Sequence, residues 1–235
     1  GIYLSALGLP LLQGYGQTET APVVSANPPH KIKLDTVGPV LKGTKVKIAD
    51  DGEILVSGEN VMNGYWNDPK ATSSTLINGW VHTGDIGEID EEGYLKITDR
   101  KKDIIVNAGG DNISPSRIEE KLNIEPAIAQ SMMYGDFKNY LVAILVPDKD
   151  YAQEWAEDNH KEFNLKKLTQ DPDFIKMIKE TTEKVNKNLS QIEQVRKFVL
   201  IDEEFTVEND MMTPTLKVRR FKVKEKYQSQ LEALY

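Results

Sequence analysis

The stretch GWVHTGDIGEIDEEGYLKITDRKKD, residues 79–103, decides the fold of the first half of this chain. Two β-type runs, ending in GEID and beginning with YLKITD, flank the turn signal Glu92-Gly93, the arrangement of an antiparallel hairpin. Upstream, KVKIAD (45–50) and EILVSG (53–58) flank Asp51-Gly52 in the same way. Short strands with tight turns at this spacing predict a small antiparallel sheet or barrel over residues 31–98. Asp68-Pro69 supplies an N-cap and an N1 proline for a short helix reaching about Leu76. Further back, an apolar run from Ile2 to Leu12 leads into GYGQTE at 14–19, a glycine-spaced turn suited to facing a ligand. So abrupt an opening predicts that residues 1–30 are the tail of a larger, truncated domain.

After Asp99 the texture changes, and the spacing places a domain boundary at Asp99-Arg100, with residues 99–235 forming a second domain. It begins with a strand-like DIIV, the polar loop AGGDNISPS and a short helix opened by Ser114-Pro115. Strands are predicted over residues 130–134, 141–146 and 198–201, and a terminal helix over 221–234. The clearest helix is 171–188, where Phe174, Ile178, Val185 and Leu189 mark one apolar stripe. The expected class is α+β: a small antiparallel sheet or barrel, then a separate mixed α/β domain.

Composition narrows the function. The chain has 235 residues, 39% hydrophobic and 28% charged, which is globular rather than disordered. Twenty-nine basic against 37 acidic residues leave a net charge of −8, which argues against nucleic acid as a partner. There is no cysteine, which excludes disulfides, thiolate metal sites and cysteine nucleophiles. No run approaches a membrane span, and the first residues lack the basic region of a signal peptide. The expected location is cytoplasmic.

Four constellations carry chemistry. Tyr15, Thr18 and Glu19 offer an aromatic face, a hydroxyl and a carboxylate, with Gly14 and Gly16 letting the backbone approach a ligand; an ordinary glycine turn is the plainer alternative. A purine could stack there, and one carboxylate is enough in principle for Mg²⁺ that also binds substrate phosphates. Asp85, in His82-Thr83-Gly84-Asp85, could accept both ribose hydroxyls or simply satisfy a local turn. His82 reads as a packing or hydrogen-bonding residue. In the charge run 99–103, Lys101 reads as a solvated face, while Arg100 could reach a nucleotide. Gly109-Gly110 suggest a backbone passing close to something. Lys217, supported by Pro214, could deliver a point charge; alternatively Lys217, Arg219, Arg220, Lys222, Lys224 and Lys226 form a basic cluster for an anionic surface.

The succession GYGQTE, GYWNDPKAT, GWVHTGD, GYLKITDRKKDIIVNAGGDNISPSRIE and TPTLKVRR resembles the adenylate-forming synthetase superfamily. Within it, TPTLKVRR and the long helical insert over residues 151–194 are most similar to long-chain fatty acyl-CoA synthetases. The resemblance implies a two-step reaction. A fatty carboxylate attacks the α-phosphate of ATP to give acyl-AMP and pyrophosphate, and coenzyme A then displaces AMP. It implies that Tyr15 packs on adenine, Thr18 contacts the α-phosphate, Glu19 holds Mg²⁺ and Asp85 binds the ribose with help from Arg100. Asp99 would be the hinge of a C-terminal lid domain, Gly109 and Gly110 would lie by the pantetheine channel, and Lys217 would be the adenylation lysine. Val106 stands where many relatives carry a second lysine. The phosphate loop expected more than a hundred residues before GYGQTE is not in this sequence. The chain is therefore expected to be a C-terminal fragment of a longer ligase, with the missing N-terminal part as partner, and inactive alone. Ligation of another carboxylic acid, and a non-catalytic module docking an acidic or membrane surface through the basic cluster, are the alternatives.

Overall fold

The computed structural model describes residues 6–9 and 11–235, so the apolar run from Ile2 to Leu12 lies partly outside the described residues. The chain divides into two compact units, residues 1–102 and 103–235.

The first unit opens with two short strands, β1 (Gly14–Tyr15) and β2 (Ser25–Ala26), paired antiparallel. Its sheet comprises β3 (Thr44–Ile48), β4 (Glu53–Gly58), β5 (Leu76–Ile77), β6 (Trp80–Ile89) and β7 (Leu95–Arg100). All of its ladders are antiparallel. β4 lies along one edge of β6, while β5 and β7 share the other, pairing with its first and second halves. The choice between sheet and barrel resolves to a five-stranded sheet. Helix α1 (Pro69–Thr75) starts as its sequence specifies, with the Asp68 carboxylate accepting from the Ala71 N–H at 2.8 Å and Pro69 at the first helical position. Buried Val24, Ile54, Val56 and Leu95 make the core, with Tyr15 packed against them.

Burial alternates along β6 up to Gly87. Val81, Thr83, Asp85 and Gly87 point inward, and the residues between them are more exposed. Val81 and Asp85 are both buried although the ladder to β4 is irregular between His82 and Ile86. Asp85 is 3% exposed, so its charge must be met by partners inside the fold.

The second unit begins with a hairpin of β8 (Ile105–Val106) and β9 (Asn112–Ile113), then α2 (Pro115–Asn123). Its sheet is mixed: β10 (Ile128–Tyr134) runs antiparallel to β11 (Leu141–Pro147), which pairs in parallel with β12 (Val195–Leu200). The parallel step requires a crossover, made by α3 (Lys149–Asp158), α4 (Leu165–Leu168) and α5 (Pro172–Asn186). α6 (Arg220–Glu232) closes the chain. Strand β11 is apolar throughout because both its faces are covered. Leu141, Ala143 and Leu145 enter the core with Phe174 and Ile178, while Val142, Ile144 and Val146 meet Val223, Tyr227 and Leu231 of α6. The predicted stripe Phe174, Ile178, Val185 and Leu189 is buried in the first of these cores. The architecture is α+β, with an antiparallel sheet followed by a mixed α/β unit, as the sequence predicts.

Candidate active site

In the first unit, three residues from two segments meet at Asp85. The Tyr15 hydroxyl donates to its Oδ2 at 2.7 Å, Gln17 Nε2 donates to the same oxygen at 2.6 Å, and Arg100 Nε lies 3.2 Å from Oδ1. Each arrives for a local reason. The β1–β2 pairing sets Tyr15. Gln17 caps the 3₁₀ turn Thr18–Thr20, and its side chain also reaches the Thr83 carbonyl at 3.0 Å. Arg100 is the direct cross-strand neighbour of Asp85 in the β6–β7 ladder. Burial, and then the bond to Asp85, push the Tyr15 phenol well above its ordinary value, so it stays a neutral donor. Thr83 anchors the turn, donating to the Ile54 carbonyl at 2.7 Å and accepting from the Asp85 N–H at 3.1 Å.

The 3₁₀ turn places Thr18 at the surface and Glu19 half-buried. Glu19 Oε1 accepts from the Tyr65 hydroxyl at 2.7 Å, and the Glu19 carbonyl accepts from the Met62 N–H at 2.9 Å. Glu19 is half-buried and adjoins exposed Thr18 in sequence, so a carboxylate and a hydroxyl lie close along one short turn. That donor set suits Mg²⁺, which binds proteins through one or two carboxylates and completes its shell with water and phosphate. No group of three or more acidic or histidine residues forms a metal cage among the described residues.

Three readings of the sequence are corrected. Gly16 does not open space for a ligand: a Cβ there would sit 1.6 Å from the Pro22 carbonyl oxygen, so the glycine admits the chain's own backbone. Lys101 is no solvated bystander, because its ammonium pairs with Asp51 at 2.7 Å and Glu53 at 2.9 Å, partners that hold its pKa above the ordinary lysine value. The cluster over residues 217–226 is largely matched by acidic neighbours. Arg219 pairs with Asp210, Arg220 with Glu119, Lys222 with Asp210 and Glu225, and Lys226 with Glu203, while Lys224 lies over the Tyr134 ring. This internal pairing removes the basis for reading a membrane-docking patch. No described helix is long and apolar enough to cross a membrane. His82, without a visible partner in the sequence, lies with Nδ1 3.0 Å from Glu53 Oε2.

Asp99 sits inside β7, buried opposite Ile86, with its Oδ1 accepting from the Arg100 N–H at 2.7 Å. The two units part three residues later, after Lys102. In the second unit, Gly109 and Gly110 lie in the β8–β9 turn, which Asn107 closes by exchanging side-chain and backbone bonds with Asp111. Lys217 is exposed on a tight turn in which the Thr213 N–H donates to the Lys217 carbonyl at 2.8 Å and the Lys217 N–H donates to Thr213 Oγ1 at 3.1 Å. The turn is anchored from behind by Arg220, whose guanidinium grips Glu119 with Nη1 2.6 Å from Oε1. Sequence reasoning missed Gln17, Glu53, Tyr65 and Glu119. Each is a polar residue whose partner lies 29 to 101 positions away; Gln17, Tyr65 and Glu119 stand inside GYGQTE, GYWNDPKAT and the stretch ending SPSRIE, but nothing local names their partners.

Comparison with known proteins gives this geometry a family. Residues 3–66 match the model described as AMP-binding enzyme, and residues 102–235 match that of the AMP-binding enzyme C-terminal domain. The long-chain-fatty-acid–CoA ligase FadD15 of Mycobacterium bovis is 39% identical over 237 residues, covering 100% of this chain and 40% of that enzyme. Among solved structures, the adenylation domain of a carboxylate reductase from Mycobacterium chelonae superposes with a TM-score of 0.78 at 25% identity, covering 100% of this chain and 36% of the other. The O-succinylbenzoate coenzyme A synthetase of Bacillus subtilis, in complex with AMP, gives 0.71 at 28% identity, covering 95% and 42%. The chain thus spans about 40% of the length of the ligase it matches. With more than half its residues inside the C-terminal domain match, and the earlier motif region inside the other, the chain belongs to the AMP-binding enzyme family.

Proposed function

We propose that this chain is part of an ATP-dependent long-chain fatty acid–CoA ligase. The observation that carries the reading is the convergence of Tyr15, Gln17 and Arg100 on buried Asp85, one short turn from Thr18 and Glu19. It is supported by 39% identity to a long-chain-fatty-acid–CoA ligase along the whole chain.

In the first half-reaction a carboxylate oxygen bonds to the α-phosphorus of ATP while the bridging α–β P–O bond breaks and pyrophosphate leaves. In the second, the coenzyme A thiolate bonds to the acyl carbon and AMP departs with the C–O electron pair. Such displacements ask chiefly for positioning and charge compensation. Tyr15 offers its ring to adenine, its hydroxyl tethered to Asp85. Of the about four acceptor positions of an ionised carboxylate, Tyr15, Gln17 and Arg100 take three, so Asp85 accepts a ribose hydroxyl through the position left on Oδ1. Arg100 keeps that carboxylate charged and oriented. Thr18 would donate to the α-phosphate, and Glu19, its Oε1 restrained by Tyr65, would hold Mg²⁺. When bound, Mg²⁺ neutralises phosphate charge and makes the phosphorus more electrophilic. Lys217 as the adenylation lysine, Asp99 as the hinge, and Gly109 with Gly110 along the pantetheine path follow from the family resemblance. The exposure of Lys217 agrees with its role.

The deciding experiment is Lys217→Ala in a full-length ligase carrying this chain. Fatty-acid-dependent exchange of pyrophosphate into ATP should fall by about 10²–10³, the scale for removing a preorganised charge from a transition state. Thioester formation from supplied acyl-AMP should persist. Unchanged exchange would overturn the assignment. A panel of fatty, aryl and short-chain acids tests the substrate class, with preference for a non-fatty acid counting against it. The chain alone should release no pyrophosphate from ATP and palmitate, since the sequence holds no phosphate loop; measurable release would refute that expectation.

A further inference from the structure

We propose that Glu53 is the positioning residue of the ribose-binding loop: with Lys101 it closes a ring of hydrogen bonds around Gly84 that fixes where Asp85 sits. The proposal rests on reading Asp85 as the ribose ligand.

The ring can be followed atom by atom. Glu53 Oε1 accepts from the Gly84 N–H at 2.9 Å. The Gly84 carbonyl accepts from the Lys101 N–H at 2.8 Å. The Lys101 ammonium then returns to Glu53 Oε2 at 2.9 Å. Both ends of one glycine are therefore tied to a single carboxylate. Gly84 has φ of +69°, the left-handed region, and a Cβ built there meets nothing within 4 Å, so the glycine serves the backbone angle rather than space. Asp85 follows immediately, and Arg100, its ion-pair partner, immediately precedes Lys101. The ring thus braces both halves of the Asp85–Arg100 pair from behind.

Packing alone does not call for a carboxylate here. Glu53 is 3% exposed and is followed by Ile54, Leu55 and Val56, all buried, so an apolar residue would suit the position. A buried ion is costly unless paired. Burial pushes the Glu53 carboxyl up, but Lys101, the Gly84 N–H and His82 together hold it below the ordinary glutamate value. Its partners are Lys101, Gly84 and His82, which flank Arg100 and Asp85 in sequence. Asp51 fixes the far side of the Lys101 ammonium at 2.7 Å.

The test compares binding of AMP and 2′,3′-dideoxy-AMP by titration calorimetry to a full-length ligase carrying this chain, in wild type, Glu53→Gln and Lys101→Met. Wild type should prefer AMP. Glu53→Gln should weaken AMP binding roughly tenfold, the scale of one charge-assisted hydrogen bond, and leave dideoxy-AMP unchanged. Lys101→Met opens the ring from its half-exposed side and should move the preference in the same direction by a smaller factor. It also decides the matter if Glu53→Gln fails to fold. Variants that keep the wild-type preference, or weaken both nucleotides equally, overturn the positioning role while leaving the ribose reading intact. A wild type that shows no preference, or binds no AMP, overturns the ribose reading and this inference with it.

Discussion

Replacing Asp85 by asparagine tests the centre of the site without changing its size. The carboxylate presents Oδ2 to two donors, the Tyr15 hydroxyl at 2.7 Å and Gln17 Nε2 at 2.6 Å, and Oδ1 to Arg100 Nε at 3.2 Å. An amide has one acceptor and one donor. If its oxygen takes the Oδ2 position, its NH₂ faces the guanidinium; if it turns over, the NH₂ faces two groups that had been donating. Either way at least one charge-assisted hydrogen bond is lost and a donor is left badly placed in a site only 3% exposed, together about 2–4 kcal/mol. The Arg100 pair adds less than about 1 kcal/mol, since the arginine side chain is half exposed and screened. Asp85→Asn should therefore lower the stability of the first unit by about 2–4 kcal/mol, read from urea unfolding followed by amide exchange along β6. Tyr15→Phe should cost about 1–2 kcal/mol, and the double variant less than the sum, because both changes break the same bond. A loss below about 0.5 kcal/mol for Asp85→Asn, or strict additivity with Tyr15→Phe, would refute the view that this network holds the site together.

Tyr65→Phe removes the restraint on Glu19 at an exposed position; Mg²⁺-dependent ATP binding in the full-length enzyme should weaken about three- to tenfold, with stability unchanged to within about 0.5 kcal/mol, measured by calorimetry and thermal unfolding. Ile144→Ala truncates a fully buried side chain of β11 and should cost about 2–5 kcal/mol in the second unit, leaving amide protection in the first unit unchanged. The Glu53 and Asp51 carboxyls are both held low in the fold, so the stability they lend is fully present above their unfolded values near ~4 and lost as pH falls through the lower folded values. Unfolding profiles of wild type and Glu53→Gln should accordingly diverge at neutral pH and converge in acid. Arg220→Lys keeps the charge but loses the fork that grips Glu119, so the C-terminal helix should loosen by about 1 kcal/mol, seen as faster amide exchange at its first turn.

Much of the fold was legible because its signals are local. Asp68-Pro69 and Ser114-Pro115 mark helix starts, and the helices begin at Pro69 and Pro115. Asp51-Gly52 and Glu92-Gly93 mark the turns between β3 and β4 and between β6 and β7. The apolar run of β11 announced a strand, though not that its alternate residues feed two separate cores. Such readings need only dihedral preference and hydrophobic period, both written within a few residues.

What joins distant residues could not be read that way. Glu53 looked like an ordinary strand residue and Lys101 like part of a solvated charge run, yet 48 positions apart they form one ion pair. Tyr65 gave no hint that it restrains Glu19, nor Gln17 that it shares an oxygen of Asp85 with Tyr15. The sequence by itself determined the elements, the α+β class and the residue types on which chemistry could rest. The tertiary structure decided which carboxylates are buried and what answers their charge, because desolvation and hydrogen bonding depend on distances across the fold that no local pattern encodes.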